Sequence, residues 1–156
     1  MTTGTLIAII GAALAAIICG LGSAIAVTMS GKAAAGVVSE NPNLFGKILI
    51  LQILPGTQGF YGFLTAILLM SSIGALGGNL EPLTTDVGWA YFGATLPITI
   101  VGFVSAIYQG RMAVSAIHLT AKQPDSSGKG MTMTALVETY AILAVLTSIL
   151  LILGIS

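Results

Sequence analysis

The sequence predicts an all-α membrane protein of four transmembrane helices, arranged as two tandem helical hairpins inserted the same way. It rests on a mean hydropathy of +1.04 with only 6% charged residues, on the apolar stretches themselves, and on an internal repeat. So few charges cannot coat a water-soluble domain.

A spanning helix needs about 20 mainly apolar residues, and such stretches occupy residues 6–29, 48–73, 89–119 and 131–153. They leave almost no chain for a soluble domain. The first has no basic residue before it and no clear small-residue cleavage site after a short apolar core, so a retained span is expected rather than a removable signal. Net charge is zero and no basic run exists, which argues against a nucleic-acid partner. Cys19 is the single cysteine; an intrachain disulfide is excluded, and its apolar setting predicts a packing residue.

Lys32 and Lys47 flank the first loop and Arg111, Lys122 and Lys129 the third, while the middle loop carries Glu81 and Asp86. Basic residues near span ends stay on the cytoplasmic side. The first and third loops are therefore expected in the cytoplasm, with the middle loop and both termini outside. Trp89 and Tyr91, at the outer start of the third span, suit interfacial anchors. Glu40, Asp125, Lys122 and Lys129 read as a solvated face or a docking surface, His118 as a solvated or interfacial side chain, and Tyr108 as packing against a neighbouring span.

Sliding the chain on itself by 82 positions lays Ser23-Ala24-Ile25 on Ser105-Ala106-Ile107, Pro42 on Pro124, Gly46-Lys47 on Gly128-Lys129 and Ile67-Leu68-Leu69 on Ile149-Leu150-Leu151. Gly20, Leu54 and Thr57 likewise fall on Gly102, Leu136 and Thr139. Matching loop residues mark a tandem duplication. We divide the chain into a first hairpin at 1–74, an outer linker at 75–87 and a second hairpin at 88–156. The first helix of each hairpin carries small residues (Gly4, Ala8, Gly11, Ala12, Ala15, Gly20 and Gly22; Gly93, Ala94, Gly102, Ser105 and Ala106), which let backbones approach closely. The second helices are bulkier. That asymmetry fits a ring with small helices inside and large ones outside, and equally a four-helix bundle with one tight seam.

Glu138 stands in an otherwise apolar span, where an ionisable group costs about 2.5–3.5 kcal/mol on insertion scales. We expect no cationic residue at its depth, so a proton or a bound metal cation must neutralise it. Counting from the loop centres, Glu138 lies 13 residues after Asp125, Gln109 lies 16 before it, and Gln58 lies 15 after Asn43. At about 1.5 Å per residue the three share one level. Leu54, Gln58 and Tyr61 fall on one helix face with Thr57 beside them. Pro55 lacks an N–H and strips the Leu51 carbonyl of its helix partner. Carbonyl, amide, hydroxyl and carboxylate oxygens around one negative charge form a hard shell suited to alkali or alkaline-earth cations; the plainer alternative for the amides and hydroxyl is interhelical hydrogen bonding. No phosphate loop, catalytic triad or Cys/His cluster occurs, and the chain by itself is not expected to be an enzyme.

Leu54-Pro55-Gly56-Thr57-Gln58-Gly59-Phe60-Tyr61-Gly62, Ile107-Tyr108-Gln109-Gly110-Arg111 and Leu136-Val137-Glu138-Thr139-Tyr140-Ala141 resemble the duplicated sixteen-kilodalton proteolipid, the K or c subunit, of V/A-type rotary ATPases, over essentially the whole chain. The likeness is to sodium-binding bacterial members. It implies a rotor ring in a bacterial plasma membrane and a sodium ion held by the Leu54 carbonyl, Thr57, Gln58, Gln109 and Glu138, with Tyr61 hydrogen-bonding Glu138. It also implies identical subunits, a stator membrane subunit with an arginine, a central-shaft attachment subunit and lipid as partners. The position 82 before Glu138 is Gly56, so one ion per two hairpins follows, an arrangement that favours pumping over synthesis. Alternative readings are the same rotor carrying H+ and a free-standing small cation transporter or channel.

Overall fold

The computed structural model describes residues 1–80 and 82–155, and among them every regular element is helical. Glu81, one of the two acidic residues assigned to the middle loop, lies outside the described residues. The elements in order are α1 (Thr3–Glu40), α2 (Phe45–Ile53), α3 (Thr57–Ser72), α4 (Thr85–Lys122) and α5 (Ser127–Ile155). A 3-10 turn at Leu54–Gly56 joins α2 to α3, so the two form one interrupted span. Four helical segments are thereby long and apolar enough to cross a membrane.

The helices outrun the apolar stretches, above all where α1 continues from Met29 to Glu40 and α4 begins at Thr85 inside the expected linker. Thr2 and Thr84 supply the cause at the N-terminal ends, each accepting a first-turn N–H on its hydroxyl. At the other ends Pro42 and Pro124 stop the spans after Asn41 and Gln123.

Small residues bring α1 and α4 together in parallel as the central pair, with α3 laid against α1 and α5 against α4. A Cβ placed on Gly22 would lie 3.1 Å from the Phe103 Cα, and one on Gly110 would lie 2.8 Å from the Ala26 Cα. Such approach leaves no room for larger side chains. The large apolar side chains of α3 and α5 meanwhile face outward, Phe60, Phe63, Leu143 and Leu150 among them. Cys19 is buried with its thiol 3.2 Å from the Ile98 carbonyl, as a packing residue should be.

Lys47 Nζ donates to the Pro124 carbonyl at 2.9 Å, which joins the first and third loops at one end of the molecule, as parallel hairpins require. At the other end Gly74 and Gly78 adopt φ of 72° and 74°, a left-handed conformation that glycine enters without penalty. Their turn leads to Leu83, which accepts from Thr2 Oγ1 and donates to Thr5 Oγ1. The glycine-rich linker thus ties down the start of α1.

Tyr91 corrects the expectation of an interfacial anchor: it is 4% exposed and packs with Ala8, Leu69, Ile73 and Ile152. The helical turn separates it from Trp89, which is 56% exposed and meets Phe92 edge-on. Arg111 also departs from its expected place beside the third loop. It sits 14 residues before Asp125, level with Glu138, so a cationic residue does lie at that depth. It is the helix face, not the depth, that keeps the two apart: Arg111 is exposed, its guanidinium lies 5.3 Å from the Tyr108 ring centre, and it forms no ion pair with Glu138 among the described residues. Tyr108, expected to pack on a neighbouring span, is instead exposed beneath that guanidinium.

Candidate functional site

Three apolar clusters stack along the bundle: Ala8, Leu69, Tyr91 and Ile152 at the end that holds the middle loop, Ala15, Cys19, Ile98 and Val145 next, and Ala34, Ile48, Leu51 and Ile117 near the hairpin loops. Between the second and third lies a level where polar side chains replace apolar ones. Gln58 and Gln109 are both 0% exposed there, and a buried amide is tolerated only with its hydrogen bonds made.

Hydrogen bonds and one close approach link these groups across three spans. Thr57 Oγ1 donates to the Leu54 carbonyl at 3.0 Å and lies 3.5 Å from Gln58 Oε1. Gln58 Nε2 donates to Gln109 Oε1. Gln109 Nε2 lies 3.2 Å from the Thr134 carbonyl and 3.4 Å from Glu138 Oε2, donating to both. The Tyr61 hydroxyl closes the set on the other carboxylate oxygen, Glu138 Oε1, at 2.5 Å. Among the described residues no buried side-chain N or O is left without a partner.

The interruption at Pro55 builds this arrangement. Pro55 gives the Leu51 carbonyl no donor, α2 ends at Ile53, and the chain resumes as α3 at Thr57. The Leu54 carbonyl therefore sits on the 3-10 turn at membrane depth, which is tolerated where protein buries it, and the Thr57 hydroxyl and the Gln58 amide stand in the first turn of α3 that follows. All six expected residues, Leu54, Thr57, Gln58, Tyr61, Gln109 and Glu138, are brought together. Their oxygens can surround a small hard cation next to a single carboxylate, while Tyr61 and the Gln109 amino group orient that carboxylate. The described residues hold no cluster of three or more His, Cys, Asp or Glu, so a softer transition-metal site is not formed by them.

Two participants escaped the sequence reading. The Thr134 carbonyl accepts from Gln109, and a backbone acceptor has no residue signature. Ser23 on α1 accepts the Gly59 N–H at 2.8 Å; its place in the repeated Ser-Ala-Ile was visible, but the contact across helices was not. His118, Lys122, Asp125, Lys129 and Glu40 are exposed and away from this network, in keeping with a solvated face.

The family model for the C subunit of ATP synthase matches the chain twice, over residues 10–69 and 92–151, and both ends of the two matches are 82 positions apart. The chain is 43% identical over 151 residues to V-type sodium ATPase subunit K of Enterococcus hirae, a match covering 97% of this chain and 93% of that one. It is 42% identical over 146 residues to A-type ATP synthase subunit K of Methanocaldococcus jannaschii, covering 94% of this chain and 61% of that one. With a repeated match across both hairpins and this identity over nearly the full length, the chain belongs to the family of ATP synthase C subunits, in duplicated form.

Proposed function

We propose that this chain is the rotor-ring subunit of a V/A-type ATPase and carries one sodium ion per copy across the membrane. The observation that carries this reading is the gathering of the Leu54 carbonyl, Thr57, Gln58 and Gln109 at the level of Glu138, with Gln58 bonded to Gln109, Gln109 to Glu138, and Tyr61 fastening the carboxylate. In this reading the ion takes oxygens from Leu54, Thr57, Gln58, Gln109 and Glu138. One monovalent charge balances one carboxylate, which removes the penalty of carrying Glu138 through lipid. The sodium ATPase named for the Enterococcus relative supports the choice of ion. The chain itself supplies translocation, and ATP hydrolysis belongs to other subunits.

Open flanks on the two hairpins support a ring of identical copies. Inside the chain, Gly22 and Ala26 of α1 meet Phe103 and Gly110 of α4. The positions 82 beyond Gly22 and Ala26 are Val104 and Tyr108, exposed on α4 and lining an apolar groove with Val101, Val137 and Tyr140. The position 82 before Phe103 is Leu21, exposed on α1. Each flank is the unpaired half of a contact already made within the chain, and head-to-tail contacts of this kind close into rings when the rotation allows. A stator subunit whose arginine competes for Glu138 and a shaft subunit seated on the first and third loops complete the proposed assembly. Lys32, Lys47, Lys122 and Lys129 favour those loops on the cytoplasmic side of a bacterial plasma membrane. Residues 1–74 and 88–156 then act as two hairpin units joined by the linker at 75–87.

Carbodiimide labelling of Glu138 across a sodium titration at fixed pH tests the proposal, because the reagent attacks the protonated carboxyl. Protection by millimolar or lower sodium, with none from potassium, is expected. Labelling indifferent to sodium converts the reading to a proton-carrying rotor. A small, monodisperse particle in place of a large detergent-resistant ring points to a free-standing transporter.

A further inference from the structure

Two serines seven residues apart on α1 bracket the interruption in the second span. Ser30, fully buried, places its hydroxyl 3.3 Å from the Gln52 carbonyl just before the break, while also 3.1 Å from the Ala26 carbonyl of its own helix. Ser23 accepts the Gly59 N–H at 2.8 Å just after it. Gly59 lies in the first turn of α3, where N–H groups have no partner inside the helix. Such groups are ordinarily satisfied by an N-cap side chain, but the N-cap of α3 is Gly56, which has none to offer. Ser23 supplies the missing acceptor from a different helix. Gly59 permits the approach, since even a Cβ there would stand only 3.3 Å from the Ser23 hydroxyl oxygen.

The other hairpin supplies the comparison. Ser105 occupies the position equivalent to Ser23 but bonds the Gly102 carbonyl of its own helix at 3.2 Å, and α5 runs from Ser127 to Ile155 without interruption. At the equivalent positions of the second hairpin the serine stays within its own helix and α5 is whole; the cross-helix serine of that hairpin, Ser148, instead accepts the Ile98 N–H beside Pro97 on the unbroken α4.

We propose that Ser23 is a positioning residue for the ion site, with Ser30 as its weaker counterpart, an inference that rests on the ion-binding reading above. By holding the Gly59 N–H, Ser23 keeps it from turning back to the Pro55 carbonyl, the partner it takes in an uninterrupted α-helix. The break therefore stays open, and the Leu54 carbonyl, the Thr57 hydroxyl and the Gln58 amide keep the directions that an ion requires. Ser23 itself touches no ion.

The test is the sodium midpoint for protection of Glu138 against carbodiimide in membranes containing the assembled full-length chain. Ser23→Ala is expected to raise the midpoint about fivefold, the equivalent of about 1 kcal/mol and the usual cost of losing a serine cap. Ser30→Ala should raise it about twofold, since its hydroxyl keeps acceptors in its own helix. Ser105→Ala should leave it unchanged, and Ser23→Thr, which retains the acceptor, should restore it. Maximal labelling without sodium stays constant throughout, which separates a misdirected ligand set from a poorly folded chain. Equal midpoints for Ser23→Ala and Ser105→Ala overturn the proposal. Should Ser23→Ala fail to assemble, Ser23→Cys, whose sulfur is a weak acceptor, is read by the same criterion. Absence of sodium protection in the wild-type chain overturns the sodium reading itself.

Discussion

The two hairpins descend from one repeat and now do different things at the same level. The first has Val27, Pro55, Gly56, Gln58 and Tyr61 where the second has Gln109, Val137, Glu138, Tyr140 and Leu143. Pro55 breaks the second span at Leu54–Gly56, while Val137 lets α5 continue. Neither hairpin holds a complete set of polar groups. The first presents a carbonyl, a hydroxyl, an amide and a phenol; the second presents an amide and the carboxylate. Duplication in one chain allows each half to shed what the other supplies, and the seam between them gains a site that two identical hairpins would have to build from a single set of residues.

That division of labour can be broken most severely at Glu138. Glu138→Gln should abolish carbodiimide labelling and reduce sodium uptake into vesicles at least ~100-fold, the scale of ~3 kcal/mol for removing one partner of a buried charged pair. Adding Gly56→Glu to that variant should not restore transport, because Val27 and Tyr140 stand where the second-hairpin carboxylate has Gln109 and Gln58 for neighbours. Recovered uptake would show that the halves are interchangeable.

Tyr61→Phe comes next. Losing a hydrogen bond to a charged group costs about 1.5–3 kcal/mol, so the sodium midpoint should rise about tenfold or more, whereas Leu143→Phe at the matching position should leave it in place. Gly110→Ala tests the packing side of the comparison. Its Cβ would lie 2.8 Å from Ala26, and overpacking of about 1–3 kcal/mol should lower the dissociation temperature of the purified assembly. Thr28, the matching position, is exposed, and Thr28→Ala is expected to stay within about 0.5 kcal/mol.

The smallest expected difference separates two prolines. Pro55→Ala returns an N–H to the Leu51 carbonyl and lets the break close, which should raise the sodium midpoint about fivefold, or ~1 kcal/mol for the bond and its geometry. Pro97 lies inside α4, which passes through it unbroken, and Ser148 Oγ accepts the neighbouring Ile98 N–H at 3.2 Å. Pro97→Ala should leave sodium protection unaltered. Similar shifts from both prolines would show that the break at Pro55 is incidental to the site.

Much of this was legible because the bilayer restricts what a chain can do. Apolar stretches of spanning length had to become helices, so the four spans and the repeat could be read directly, and counting residues along hairpins placed Gln58, Gln109 and Glu138 at one level. The expectation that Arg111 flanks the third loop ran against the same count, which puts it level with Glu138. Depth says nothing of direction around the helix, and two residues, about 200° of rotation, separate Arg111 on the Tyr108 face from Gln109 in the core. Tyr91 was misjudged for a related reason: its place near a span end suggested an anchor, while its side chain faces Ala8 and Ile152.

The sequence by itself determined the spans, the duplication, the presence of one intramembrane carboxylate and the loss of the Leu51 carbonyl's helix partner at Pro55, because each follows from covalent geometry or from the cost of polar groups in lipid. Only the tertiary structure decided which oxygens face one another: that Gln109 bridges the Thr134 carbonyl and Glu138, that Tyr61 reaches across to that carboxylate, and that Ser23 caps α3 from α1. Those contacts depend on the rotation of each helix against its neighbours, which is set by how closely the small residues of α1 and α4 let two backbones meet, a property of the assembled pair and of neither segment alone.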